Sequence, residues 1–157
     1  MYKYLLFYIK SIKMKDYSIA LIAHDGKKAD LVSFIMKRLD FFNSEHIKLY
    51  GTGTTSSKIR NAGVNKIIGL QSGPIGGDAQ IASRLVEGEI DAVIFFRDPL
   101  DKHPHEPDVN MLLRLCDVHN IPLATNYYSA KILVSYLRNK IDKKKQNSGG
   151  IFESDID

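Results

Sequence analysis

Cysteine, tryptophan and long hydrophobic runs are scarce or absent in this chain. Its 157 residues include one cysteine, Cys116, and no tryptophan. A lone cysteine excludes an internal disulfide framework and suits a reducing cytoplasm. The apolar opening is bracketed by Lys3 and Lys10, so it is too short to span a bilayer, and no small-residue cleavage site follows it. These absences predict neither a disulfide-stabilised secreted scaffold nor a membrane protein.

The net charge of +4 is carried by the ends of the chain. Residues 138–145 hold five basic residues and one acidic residue, and residues 1–15 hold four lysines. The body, 16–137, has 13 basic and 14 acidic residues. Basic ends of this kind are typical of solvated tails, so we expect no nucleic-acid partner. We expect an N-terminal extension over 1–15, one domain over 16–140 and a flexible polar tail over 141–157.

Short apolar runs alternate with helical patterns along the body. The runs predict strands over 18–23, 47–50, 66–70, 91–96 and 122–125. The helical patterns cover 28–42, 56–63, 78–88, 108–120 and 129–140. This alternation predicts a single doubly wound, Rossmann-like α/β domain with a five-stranded parallel sheet. Ligands bind beyond the carboxyl ends of such strands, so the segments after the strands are candidate site loops. Cys116 falls within an apolar helical pattern and is interpreted as a packing residue.

The segment "GTGTTSS" (51–57) follows the second predicted strand. Glycine lets backbone N–H groups approach an anion, hydroxyls add donors, and a helix N-terminus adds a favourable dipole. The segment has neither the Gly-Lys-Ser/Thr of a Walker loop nor the G-x-G-x-x-G fingerprint. Two interpretations stay open: a phosphate-binding loop, or a helix cap made by Thr54 or Thr55.

Two further loops bring titratable groups to the same edge. His24 ends the first strand, where an imidazole can act as acid, base or electrophile. Lys28 lies four residues further on, within reach of an anion. Asp78 ends "SGPIGGD" (72–78), either as a helix N-cap or as a carboxylate near a substrate. To act as a base, Asp78 would have to be desolvated so that its pKa rises.

The segment "DPLDKHPHEPD" (98–108) holds four acids, two histidines and three prolines. A structural zinc needs four ligands, and no second His/Cys cluster has suitable spacing, which disfavours a metal site. A solvated loop explains the middle of the segment, but it explains Asp98 and Asp108 less well, since they adjoin a strand and a helix. The prolines stiffen the loop and help hold His105 in place.

Five motifs together resemble the methylglyoxal synthase family. They are "ALIAHD", "YGTGTTS", "SGPIGGDAQI", "DAVIFFRDPLDKHPHEPDVNMLLRLC" and "IPLATN". They occur in order and run from about Ser18 to Ala130, through every predicted strand and its loop. The resemblance implies a five-stranded parallel α/β domain assembled as a homohexamer. It also implies conversion of dihydroxyacetone phosphate to methylglyoxal and inorganic phosphate, with no metal or organic cofactor, and with phosphate as an inhibitor.

The resemblance also implies roles for individual residues. Asp78 would take a proton from the carbon that bears the hydroxyl group. His24 would polarise the carbonyl and shuttle protons, and His105 would line the site and assist proton transfer. Asp98 and Asp108 would support the histidines. Both histidines would also contact the substrate, whose phosphate would be held by Lys28, Thr52, Gly53, Thr54, Thr55, Ser72 and Gly73.

The resemblance fades after about Ala130. Some family members bring a C-terminal arginine to the phosphate, and Arg138 is a weak candidate for it. Arg114 matches an arginine implicated in subunit contacts. The alternative function is a non-catalytic ligand-sensing domain, as in the large carbamoyl-phosphate synthetase. That alternative explains the phosphate loop but not the acid–base residues. If the chain is an enzyme, we expect Asp101, His103 and Glu106 to lie at the rim of the site.

Overall fold

One fully parallel sheet organises the fold. The computed structural model describes residues 16–102 and 104–149. The strands are β1 (Tyr17–Ala23), β2 (Ile47–Thr52), β3 (Ile67–Leu70), β4 (Ala92–Phe96) and β5 (Leu123–Ala124). They pair in the order β3-β2-β1-β4-β5, and every pairing is parallel. The predicted five-stranded parallel α/β fold is therefore confirmed.

Among the described residues, five helices connect the strands and a sixth follows β5. They are α1 (Lys28–Met36), α2 (Leu39–Phe42), α3 (Gly53–Asn61), α4 (Gly77–Val86), α5 (Glu106–Val118) and α6 (Tyr127–Gly149). Short 3₁₀ turns at Asp25–Lys27 and Gly73–Ile75 precede α1 and α4. Within the described part of the chain, none of the helices combines the length and hydrophobicity needed to cross a membrane.

Alternate residues of the buried strands feed two separate cores. On β1, Ile19 and Leu21 pack into the core beneath α1, α2, α3 and α6. Their neighbours Ala20 and Ile22 face the core beneath α4 and α5. Cys116 is buried in this second core, so its predicted packing role is confirmed. Because side chains on a strand alternate in direction, a strand buried on both faces must be apolar throughout, as β4 and the last five residues of β1 are.

Several helix boundaries differ from the predicted ones. The predicted helix 28–42 is interrupted between α1 and α2, where Arg38 leaves helical geometry (φ −141°, ψ 31°) and its guanidinium donates to the carbonyl of Phe34. The last helix was predicted to end at 140, but it continues to Gly149 and buries Ile141 in the core. Residues 141–149 of the expected tail are therefore helical, while the rest of that tail, 150–157, and the expected extension, 1–15, lie outside the described residues.

The strand order determines where a ligand crevice forms. The connections leave β1 towards β2 and β4 towards β5, so the order reverses at the β1–β4 pair. The backbone N–H of His24 donates to the carbonyl of Phe96 at 3.1 Å, which joins the ends of these two strands. A doubly wound sheet binds its ligand beyond the strand ends near such a reversal.

Candidate active site

A cavity of about 300 Å³ opens at the carboxyl edge of the sheet. Its walls come from the loops after β1, β2 and β3 and from the residue before α5. All nine residues predicted to contact the substrate line this cavity, and so does Asp78. The sequence-predicted loops therefore converge at one site, although they are up to about eighty residues apart in the chain.

One side of the cavity is formed by the start of α3 and by Lys28, which together make up the predicted anion cradle. This helix begins at Gly53, directly after β2 and three residues earlier than predicted. The first-turn N–H groups of a helix have no intrahelical partner and suit an anion. The N-cap residue is Thr52, which makes no side-chain capping bond, so the interpretation of Thr54 or Thr55 as the cap is wrong.

Gly53 lets the loop after β2 and the loop after β3 approach each other. Its φ is +39°, and an added Cβ would lie 2.7 Å from the Cα of Ser72. Its N–H donates to the carbonyl of Gln71 at 3.0 Å. A side chain at position 53 would therefore push these two loops apart and open the site.

Lys28 brings a positive charge to this side of the cavity. Its ammonium donates to the Thr54 hydroxyl and to the Asp25 carboxylate, each at 2.5 Å. Asp25 also lines the cavity, and sequence reasoning did not assign it. The available signal was its spacing, since Asp25 stands three residues before Lys28 and next to His24.

His24 is buried at the end of β1, with its ring edge-on to Phe95 at a centroid distance of 5.0 Å. Its Nδ1 accepts a hydrogen bond from the backbone N–H of Asp98 at 2.9 Å. An accepting Nδ1 places the proton of a neutral imidazole on Nε2. His24 is therefore set up as a neutral hydrogen-bond donor through Nε2.

Asp78 is the most deeply buried acid of the site, with 1% of its surface exposed. It lies in the first turn of α4, whose N-cap is Gly76, so the N-cap interpretation of Asp78 is wrong. Desolvation raises the pKa of the Asp78 carboxyl, nearby His105 opposes that rise, and the charge of Asp108 adds to it. Neither carboxylate oxygen has a hydrogen-bond partner among the described residues. Asp78 is thus a desolvated carboxylate of increased basicity.

His105 lies beside this carboxylate. Its Nε2 is 3.6 Å from Oδ2 of Asp78, and its ring centroid is 6.2 Å from that of His24. Gly73 leaves space above the pair, because an added Cβ would lie 3.1 Å from Oδ2 of Asp78 and 3.3 Å from Nε2 of His105. Two imidazoles and a carboxylate thus face one small cavity, an arrangement suited to moving protons between neighbouring atoms of a substrate.

Asp98 and Asp108, both predicted as site residues, do not line the cavity. Asp98 contacts His24 through its main chain, while its carboxylate accepts from the N–H of Leu100 at 3.2 Å. Asp108 was predicted to open the helix, but it is the third residue of α5, and its N–H donates to the carbonyl of His105 at 3.0 Å. Both residues therefore contact the two site histidines through their main chains.

Two of the three expected rim residues, Asp101 and Glu106, lie apart from the cavity. Asp101 and Glu106 line a separate surface depression, and Glu106 forms an ion pair with Arg97. His103 lies outside the described residues. In the part of the chain that the structure describes, no three His, Cys, Asp or Glu side chains are grouped so that they could hold a metal ion.

Arg138 does not reach the phosphate side of the cavity. Its guanidinium pairs with the carboxylate of Asp40 at 2.6 Å, beside α2, and it is not a lining residue. Arg138 therefore supplies no arginine to the cavity of its own chain.

The fold and the site define a parallel α/β domain with an acid–base centre next to an anion cradle. A family model described as "MGS-like domain" matches residues 34–125. The chain is 56% identical over 116 residues to the methylglyoxal synthase of Borrelia garinii subsp. bavariensis, an alignment covering 74% of this chain and 90% of that protein. With these matches, the chain belongs to the methylglyoxal synthase family.

Two further comparisons agree. The methylglyoxal synthase of Moorella thermoacetica is 50% identical over 120 residues, which cover 76% of this chain and 92% of that protein. The crystal structure of methylglyoxal synthase from Elizabethkingia anophelis superimposes with a TM-score of 0.71 at 39% identity, covering 77% of this chain and 78% of that one. The resemblance inferred from the five motifs is confirmed.

Proposed function

We propose that this chain is a carbon–oxygen lyase that converts dihydroxyacetone phosphate to methylglyoxal and inorganic phosphate. The observation that carries the proposal is the pairing of a desolvated Asp78 with His105, 3.6 Å apart, in the same cavity as the anion cradle. A binding domain needs the cradle but has no use for a buried carboxylate of raised pKa. The family membership supports the same reaction.

Substrate binding begins with the phosphate. The N-terminal turn of α3 offers backbone N–H groups, and the hydroxyl of Thr54 and the ammonium of Lys28 stand beside it. Lys28 is only 18% exposed, so its attraction for a phosphate is screened less than that of a surface lysine. With the phosphate held there, the three-carbon body of the substrate extends towards His24 and Asp78.

Proton removal follows. Asp78 takes a proton from the hydroxymethyl carbon, and the electron pair of the broken C–H bond forms the double bond of an enediolate. Negative charge develops on the former carbonyl oxygen, where the Nε2–H of His24 can donate a hydrogen bond. A neutral imidazole suits this role because it donates to the oxygen without surrendering its proton fully.

Elimination of phosphate completes the chemistry. The hydroxyl group of the enediolate passes its proton to the former carbonyl oxygen, and the oxygen that loses the proton forms the aldehyde C=O bond. The C=C electron pair shifts to the phosphate-bearing carbon and breaks its C–O bond, which has to lie out of the enediolate plane, and the phosphate leaves with the bonding pair. The product is the enol of methylglyoxal, which gains a proton at the former phosphate-bearing carbon and loses its enol O–H proton to become the ketoaldehyde. Holding the phosphate out of plane is the task of the α3 turn and Lys28. His105 is placed to carry protons between Asp78 and the oxygens.

The assembly and compartment belong to the same proposal. We expect a homohexamer in the cytoplasm that is inhibited by phosphate and has no nucleic-acid or membrane partner. The expected mass in light scattering is about six times the 17.7 kDa of the chain. A monomer mass would contradict the hexamer without affecting the assignment of the reaction.

One assay tests the reaction directly. Purified protein is incubated with dihydroxyacetone phosphate, and methylglyoxal and free phosphate are measured together. Equal amounts of both products are expected. If phosphate binds in calorimetry but neither product forms, the ligand-sensing alternative replaces the enzyme.

A further inference from the structure

Arg97 connects the segments that carry both histidines. It follows β4 directly, and its own N–H donates to the carbonyl of Thr125 at 3.3 Å, beyond β5. The next residue, Asp98, supplies the N–H that bonds Nδ1 of His24. The guanidinium Nη2 of Arg97 lies 3.6 Å from Oε1 of Glu106, the residue after His105. The main chain next to Arg97 therefore contacts His24, and the side chain of Arg97 contacts the residue that follows His105.

The ion pair closes the loop that carries His105. Arg97 stands at the beginning of loop 98–105 and Glu106 at its end, as the first residue of α5. A carboxylate in the first turn of a helix is also favoured by the helix dipole. Because His105 is the N-cap residue of α5, any shift of the first turn moves its imidazole relative to Asp78. The pair therefore restrains the residue on which the 3.6 Å contact with Asp78 depends.

The pair is poorly suited to a purely stabilising role. The side chains of Arg97 and Glu106 are 29% and 44% exposed, and pairs this exposed contribute little to folding. The Nε of Arg97 is buried without a hydrogen-bond partner among the described residues, so placing the guanidinium here costs desolvation free energy. A role in positioning the loop that carries His105 would account for that cost.

We propose that Arg97 is a positioning residue that holds His105 against Asp78 through Glu106. This inference rests on the proposed function for its catalytic readout. The chain offers a matched control in the ion pair of Arg84 with Glu89, at 3.9 Å, with side chains 31% and 50% exposed. The control pair has similar length and exposure, but it joins the end of α4 to the turn that follows it and does not join the ends of loop 98–105.

The experiment compares Arg97→Met, Glu106→Gln and their double variant with Arg84→Met. We expect kcat to fall about tenfold in each Arg97 or Glu106 variant, because small misplacements of catalytic groups have large kinetic effects. The KM for dihydroxyacetone phosphate should change less than about twofold, since the phosphate cradle is untouched. The double variant should be no slower than either single variant, and Arg97→Lys should recover part of kcat. Arg84→Met should retain the wild-type kcat.

A second readout does not depend on turnover. In histidine-labelled protein without substrate, the NMR signals of the His105 ring should shift in Arg97→Met and Glu106→Gln and stay in place in Arg84→Met. Wild-type kcat, pH profile and ring signals in Arg97→Met would overturn the inference, as would equal effects in the control. An inactive wild-type protein would instead overturn the proposed function, and the ring signals would still decide the positioning role.

Discussion

The imidazole of His105 lies 3.6 Å from the carboxylate of Asp78, across a space that Gly73 leaves empty. This relationship joins the first turn of α4 to the residue before α5, which are separated in the chain by the rest of α4 and by β4. It brings a proton acceptor and a proton carrier to one cavity. The proposed chemistry depends on it more than on any other contact of the site.

Replacing the proposed base should stop turnover without weakening phosphate binding. In Asp78→Asn we expect kcat to fall by about 10² to 10⁴-fold, the usual contribution of a general base. Calorimetry with inorganic phosphate should give binding close to wild type, because the α3 turn and Lys28 are unchanged. An active Asp78→Asn protein would contradict the assignment of Asp78 as the base.

The same substitution should stabilise the fold at neutral pH. Burial raises the pKa of Asp78 in the folded chain above its value in the unfolded chain. The protonated carboxyl therefore contributes stability that is fully present below the unfolded-state pKa. That stability is lost as pH rises through the folded pKa. The gain in Tm for Asp78→Asn over wild type should therefore be small below the unfolded pKa, grow as pH rises through the folded pKa, and stay constant above it. Thermal unfolding at a series of pH values measures it, and a gain that shrinks with rising pH would contradict the shift.

A methyl group at Gly73 should obstruct the proton-transfer pair. Gly73→Ala puts a carbon about 3.1 Å from Oδ2 of Asp78 and 3.3 Å from Nε2 of His105, where the substrate carbon has to approach. We expect a loss of about tenfold or more in kcat/KM, with a small change in Tm. Kinetics and thermal unfolding of the same sample separate the two effects. Unaltered kinetics would show that the reacting carbon does not pass over Gly73.

Removing divalent metal should leave the reaction unaffected. The proposed mechanism assigns the developing charge to His24 and the proton to Asp78, so no step requires a metal ion. Activity after dialysis against EDTA should equal that of untreated protein. A large loss that zinc or magnesium restores would revive a metal site around the histidines of segment 98–108.

Cys116 should be inert in the folded protein. Burial, with a smaller contribution from Asp117, raises the pKa of its thiol to about 11. Only about 0.1% of the thiol is then ionised at pH 8, and the thiolate is the reactive form. A chromogenic disulfide reagent should react slowly with native protein and label one thiol per chain in guanidinium. Rapid labelling of the native protein would contradict the buried location.

Local patterns in the sequence determined most of the architecture. The apolar runs identified all five strands, and the signal was cleanest in β4 and most of β1, which are buried on both faces and need uninterrupted apolar residues. Their alternation with helices required parallel pairing, and parallel pairing placed the loops with His24, Thr54 and Asp78 at one edge. The roles of these residues came from the family resemblance. Burial of Asp78 and its raised pKa could be stated only as a requirement.

Tertiary structure decided how each side chain takes part. Asp98 supports His24 through its N–H, across a separation of 74 residues, and Arg138 is held by Asp40 instead of reaching the cavity. The continuation of the last helix to Gly149 depends on the core that buries Ile141. These outcomes depend on contacts between distant segments, and periodicity reports only which face of its own element a residue occupies. The sequence therefore determined which residues meet at the edge of the sheet. Only the packing of distant segments decided through which atoms those residues contact one another and the cavity.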